Sequence, residues 1–134
     1  MDSSYYKIEN HQSSDYNIKH TLGVKGERMT SRYLESRGFC IILKNFRCRY
    51  GEIDIIAYDP ADDALCFVEV KTRTSMRKGR PCEAVDYRKL SNLKRTAYYY
   101  LRGERPFCRR MRIDISEVML FGKTKRINYM KNIG

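Results

Sequence analysis

Two carboxylates and a lysine stand in a pattern suited to phosphate chemistry. Asp54 lies in Gly51-Glu52-Ile53-Asp54-Ile55-Ile56-Ala57, and Glu69 and Lys71 lie in Phe67-Val68-Glu69-Val70-Lys71. Between these runs, Pro60-Ala61-Asp62-Asp63 is turn chemistry. Closing the hairpin on those four residues sets Asp59 opposite Ala64, Asp54 opposite Glu69 and Glu52 opposite Lys71. A period of two places Leu65, Phe67, Glu69 and Lys71 on one face. Like charges directly opposite destabilise a sheet pair, and apolar neighbours such as Phe67 and Ile56 would strip their water. Such a pair persists by sharing a proton or a cation. Oxygen donors select a hard cation, Mg²⁺ or Mn²⁺. Lys71 is then placed to orient an attacking water or to offset charge developing on a phosphate. A Glu-x-Lys step alone is ordinary on a solvated strand. The composite of two acidic strands, a tight turn and apolar surroundings is not.

Little else in the chain competes for that role. Its 134 residues hold two histidines, His11 and His20, both in a polar N-terminal stretch. Ser-His-Asp and Cys-His chemistry and His-ligated metals therefore have no support in the body of the chain. The five cysteines show no C-x-x-C spacing, which argues against zinc. Their odd number, with no apolar leader in Met1–Ser14, suggests reduced thiols and a cytoplasmic location. No run approaches the ~18 to 20 apolar residues of a membrane span, so no membrane partner is expected.

The net charge is +11. Residues 71–112 carry fourteen basic and three acidic side chains, whereas residues 21–70 carry seven basic and eight acidic ones. The whole excess sits in one segment, as expected of a surface for a polyanion, nucleic acid above all. Arg47, Arg49, Arg73, Arg77, Lys78 and Arg80 bracket the hairpin, and Lys89 follows on a helix, so together they form a candidate phosphate track. Tyr98-Tyr99-Tyr100 on the same helix must point three ways, so at least one ring is core and the others are weak candidates for base stacking.

These residues need a scaffold. Val24 to Arg37 reads as a helix stopped by Gly38. Strands follow at Phe39 to Phe46, Tyr50 to Tyr58 and Leu65 to Thr72. A basic loop spans Thr74 to Pro81, and Asp86 caps a helix running to about Arg102. Arg112 to Leu120 and Arg126 to Met130 complete the strands around a turn at Gly122. The expected fold class is α/β: an α-β-β-β-α-β core with a mixed central sheet flanked by helices. Residues 1–20 read as a polar, loosely packed arm and 21–134 as a single domain.

Asp54…Glu69-Val70-Lys71 resembles the D…(D/E)-x-K signature of the restriction-endonuclease-like superfamily, and the element order resembles its core. More closely, residues 21–134 resemble the YraN-like family of small bacterial proteins. The matching stretches include Gly26-Glu27, Asn45-Phe46-Arg47, Gly51 to Ala57, Phe67 to Arg73, Glu83-Ala84-Val85…Lys89 and Arg112-Ile113-Asp114. The resemblance implies that Asp54 and Glu69 are metal ligands, that Val70 lends its carbonyl, and that Lys71 is the catalytic lysine. It also implies that Glu27, matching a helix glutamate of Holliday-junction-resolvase-like proteins, is a further ligand. By residues alone, Glu27 would serve equally as a favourable charge near a helix N-terminus. Glu52 is expected to pair with Lys71 or to stand in an outer shell. The implied function is a Mg²⁺- or Mn²⁺-dependent deoxyribonuclease acting on DNA phosphodiesters, branched DNA included. The alternative is a non-catalytic nucleic-acid-binding module of the same fold. A homodimer would suit symmetric cutting of two strands.

Overall fold

A computed structural model describes residues 14–75, 77, 85–104, 108 and 110–134. Residues 1–13 of the expected arm, Lys78, Arg80 and most of the expected basic loop lie outside them. The elements are α1 (Ser14–Ser36), β1 (Cys40–Cys48), β2 (Gly51–Asp59), β3 (Ala64–Arg73), α2 (Tyr87–Glu104), β4 (Arg110–Phe121) and β5 (Thr124–Met130). They form a mixed α/β fold in the order expected, with the short last strand present. The sheet runs β1-β2-β3-β4-β5. Only β3 and β4 are parallel, because α2 carries the chain back to the end of the sheet at which β3 begins.

Side-chain alternation sorts β3 between two layers. Leu65 and Phe67 pack with Leu93, Ala97 and Tyr100 of α2. Ala64, Cys66 and Val68 pack with Leu34 of α1 and with Phe39. Thus α1 and α2 cover opposite faces of the sheet. Among the described residues no helix is long and apolar enough to cross a membrane.

The helix caps work as their residues suggest. Asp86 Oδ1 accepts the Lys89 amide at 2.9 Å. Gly38, at φ 89°, lets the Phe39 amide reach back to the Leu34 carbonyl at 3.0 Å and close α1. The expected start of α1 at Val24 is corrected: the helix begins ten residues earlier, at Ser14, so residues 14–20 of the expected arm are helical. Gly23 and Gly26 make this stretch a poor helix former on its own. Tertiary contact accounts for Gly26, where a Cβ would overlap Thr72 Oγ1 and press within 3.4 Å of Val70 Cγ1. The missing side chain lets α1 lie directly on the end of β3.

One end of the sheet is held by a buried ion cluster. Arg112 Nη1 donates to Asp59 at 2.9 Å and to Asp62 at 2.8 Å, and Nη2 donates to Asp114 at 3.0 Å. The Tyr129 hydroxyl and the Asn132 amide also donate to Asp114, at 2.6 and 2.8 Å. The cluster ties the β2–β3 turn to β4 and the C-terminal segment. Removing the guanidinium leaves Asp59 and Asp114 buried without their main cation. Arg112→Met is expected to cost about 3 to 5 kcal/mol in urea unfolding at pH 7. The deficit should shrink at low pH as the carboxylates take up protons; a loss below about 1 kcal/mol would contradict this reading.

Candidate active site

The β2–β3 hairpin has the expected register, from Asp59 opposite Ala64 to Ile55 opposite Val68. There the ladder ends, and Asp54 and Glu69 do not continue it as a backbone pair. Instead the Asp54 carboxylate turns into the gap, and its Oδ2 accepts the Val70 amide at 2.7 Å. A strand residue sends its N–H and C=O to the same side, so the Val70 carbonyl also faces the gap.

The neighbouring strands are distorted at the same level. Ile53 and Ile56 pack on the α2 face whereas Ile55 and Ala57 pack on the α1 face. The alternation of β2 therefore breaks across Asp54. In β1, Asn45 stands between Lys44, paired to Ile55, and Phe46, paired to Ile53. Asn45 has φ 56°, a conformation asparagine tolerates better than most residues. Paired irregularities of this kind re-aim side chains beside functional sites.

The re-aimed groups converge on Asp54. Glu69 lies beside it, close enough for each carboxyl to feel the other, and only 6 % of the Glu69 side chain is exposed. Burial, followed by the Asp54 charge, pushes the Glu69 carboxyl up to about 7. Lys89 Nζ at 3.4 Å from Oε2 and Lys71 Nζ at 3.9 Å from Oε1 oppose that rise without cancelling it. Glu27 reaches the same charge from α1. Burial and then Asp54 raise its carboxyl, while a hydrogen bond with Asn45 lowers it. Among the described residues no three Asp, Glu, His or Cys side chains form a metal-holding cluster.

The ends of side chains here are poorly satisfied. Among the described residues, the buried side-chain polar atoms without a hydrogen-bond partner are Glu69 Oε2, Thr72 Oγ1 and Arg73 Nε. All three fall within one five-residue stretch at the end of β3. Buried orphans are few in folded proteins, so each of these atoms calls for a further partner, be it water, ion or ligand. A hard cation fits the donors on offer: the Glu69 carboxylate with its orphaned oxygen, the Asp54 carboxylate and the Val70 carbonyl.

The other candidate residues sort as follows. Glu52 pairs with Arg47, its partner across β1 and β2, at 3.1 Å rather than with Lys71. The reason is the early end of the β2–β3 ladder, which leaves β1 as the only strand opposite Glu52. Arg49 is exposed and stacks on Tyr50, with 4.9 Å from Cζ to the ring centroid. Arg73 is half-buried and Arg77 exposed. Lys89 belongs with Glu69 more than with an open phosphate track. Two further residues escape sequence reading. Asn45 looks like an ordinary polar strand residue, although its left-handed preference is a weak signal. Glu117 lies beside Lys71 in the parallel register, fully buried, and accepts a 2.6 Å bond from Asn128. Its inward position in β4 is the only hint.

The raised Glu69 carboxyl has a consequence for stability. Its proton is held more tightly folded than unfolded, so its contribution is full below about pH 4.5 and is lost as pH rises through about 7. Glu69→Gln keeps the shape and removes the charge. In EDTA at pH 8.5 the variant is expected to be more stable than the parent by about 1 to 3 kcal/mol, at roughly 1.4 kcal/mol per pKa unit. At pH 4 the two should unfold alike. A variant less stable at pH 8.5 would mean that the lysine contacts outweigh burial and Asp54.

Residues 26–118 match the uncharacterised protein family UPF0102. A UPF0102 protein of Alkaliphilus metalliredigens is 44 % identical over 112 residues, covering 84 % of this chain and 96 % of its own. One from Syntrophomonas wolfei is 40 % identical over 83 % of this chain and 95 % of its own. One from Beutenbergia cavernae is 38 % identical over 87 % and 98 %. The match spans both carboxylate strands, α2 and most of β4, and the chain belongs to the uncharacterised protein family UPF0102, as its resemblance to YraN-like proteins led us to expect.

Proposed function

We propose that this protein is a Mg²⁺- or Mn²⁺-dependent phosphodiesterase acting on DNA. One observation carries the reading: the buried Glu69 carboxylate beside Asp54, at the point where β2 leaves β3, whose Oε2 lies near Lys89 yet accepts no hydrogen bond. Two carboxylates brought together in a buried place, where burial outweighs the pull of Lys71 and Lys89 on Glu69, favour a divalent ion over a fold-stabilising role. Asp54, Glu69 and the Val70 carbonyl would hold it, and Glu27 would add charge from α1. Such an ion supplies Lewis-acid stabilisation of the phosphorane-like transition state.

The chain's own groups do the rest. Asp54 is oriented by the Val70 amide and so presents its other oxygen in a set direction. Lys71, partly exposed at the mouth, offers ammonium hydrogens to the attacking water and to a non-bridging phosphate oxygen. The water oxygen bonds to phosphorus and the bond to the 3′ oxygen breaks. A proton leaves the water for solvent and one reaches the departing oxygen, giving a 5′-phosphate and a 3′-hydroxyl. Lys89 holds Glu69 from α2 and adds positive charge beside the substrate.

A second reading is a nucleic-acid-binding module without catalysis. It is favoured by the contacts of Lys71 and Lys89 with Glu69, which give the carboxylate protein-borne counter-charges. It requires salt-sensitive binding that Asp54→Ala leaves intact.

Titration calorimetry with Mn²⁺ should show binding by the parent and none by an Asp54→Ala/Glu69→Ala double variant. In Mg²⁺ or Mn²⁺ the parent should cleave DNA, with Lys71→Ala slower by about 100-fold or more. Metal affinity should rise as pH passes through about 7, because the ion displaces the proton on Glu69. Equal, metal-independent backgrounds for parent and Lys71→Ala would overturn the catalytic reading in favour of the second.

A further inference from the structure

Where α2 meets the β1–β2 turn, the surface carries an open cleft of about 360 Å³ lined by Tyr50, Arg95, Tyr98, Tyr99 and Arg102. Every lining side chain is either an aromatic ring or a guanidinium, and none is acidic. Tyr100, the third ring of the run, is buried in the core against Phe46 and Phe67, which frees its two neighbours to face outward. Tyr99 is braced edge-on by Tyr50 at 6.1 Å and tilted against Phe46 at 6.3 Å. Arg49 anchors Tyr50 through a 2.8 Å bond to its hydroxyl. Tyr98 is 58 % exposed and has no ring partner among the described residues.

The cleft shares one wall with a second hollow on the same helix. Tyr50 is shared with a smaller hollow, about 120 Å³, lined by Glu52, Lys89, Asn92 and Thr96 among others. Lys89 in turn touches Glu69. Lys89, Asn92, Thr96 and Tyr99 recur every three or four residues, so they follow one stripe of α2. Ten residues at 1.5 Å rise put Tyr99 about 15 Å along the helix from Lys89, a span of a few nucleotides.

We propose that this cleft binds an unpaired base of single-stranded DNA, so that the substrate presented to the carboxylates is single-stranded or locally unwound. The location rests on the phosphodiesterase reading, but the recognition chemistry does not. Rings and guanidinium planes offer stacking surfaces to any base, while Arg95 and Arg102 supply charge for the flanking phosphates. Bases inside a duplex are already stacked on one another and cannot reach such rings. An exposed Tyr98 next to a braced Tyr99, with two arginines alongside, is therefore matched to a strand whose bases are free.

The test is fluorescence anisotropy in EDTA, where cleavage cannot occur, using a labelled single-stranded oligonucleotide, its duplex and an abasic strand of equal length. The parent should bind the single strand tighter than the abasic strand. Tyr98→Ala should weaken binding of the intact single strand by about 5- to 100-fold and Tyr98→Trp should restore it. Affinity for duplex and abasic strand should not change, nor should the melting midpoint, since Tyr98 is exposed. Unchanged single-strand affinity in Tyr98→Ala, or an equal loss on the abasic strand, would overturn the proposal. Base-dependent binding that persists without any metal-dependent cleavage would sink the catalytic reading and leave this one standing. Cleavage that persists while Tyr98→Ala binds normally would do the reverse.

Discussion

The Val70 amide donates to the Asp54 carboxylate across 2.7 Å, at a level of the sheet where β2 no longer supplies a main-chain acceptor. A buried amide needs a partner, and here the partner is a side chain. That substitution lets β2 part from β3 without leaving an orphaned N–H. It also fixes the Asp54 carboxylate inside the gap it helps to open. The broken alternation of β2, the left-handed Asn45 in β1 and the approach of Glu27 from α1 all occur around this point. The glycine at position 26 allows α1 to come close enough for that approach.

The two ends of β3 handle charge in opposite ways. At its start, Arg112 is surrounded by Asp59, Asp62 and Asp114, and each of these carboxylates meets the guanidinium through an aligned bond. That cluster is closed and its role is to hold the turn, β4 and the C-terminal segment together. At its end, Glu69 has two lysines near it, yet its Oε2 has no hydrogen bond and burial dominates its protonation. The same kinds of residue thus make a satisfied structural node at one end and an unsatisfied one at the other. Unsatisfied polar groups cost free energy, so the site is held in place by the remainder of the fold, including the apolar layers on either face of β3.

The carboxylate site and the aromatic cleft are coupled by α2. One helix contributes Lys89 to Glu69, Leu93 and Ala97 to the core, and Tyr98 and Tyr99 to the cleft. Because a rigid helix sets those spacings, the geometry between the paired carboxylates and the rings is a property of the fold rather than of a mobile loop.

The hairpin register was legible from residues alone, because a four-residue turn and a period of two leave few alternatives when one slip would turn every apolar side chain outward. The α/β order and the Asp86 cap were legible for similar local reasons. The partners of charged residues were not. Sequence spacing suggested Glu52 with Lys71 and Lys89 on an open track, whereas the structure pairs Glu52 with Arg47 and sets Lys89 against Glu69. Nor does spacing reveal that α1 starts at Ser14 and runs through Gly23, that Arg112 gathers three aspartates, or that Glu117 stands beside Lys71. The sequence by itself determined which strands carry the paired carboxylates and the lysine, since turn type and alternation act over a few residues. Only the tertiary structure decided which charges meet, because where a ladder ends and which helix covers it depend on contacts between segments far apart in the chain.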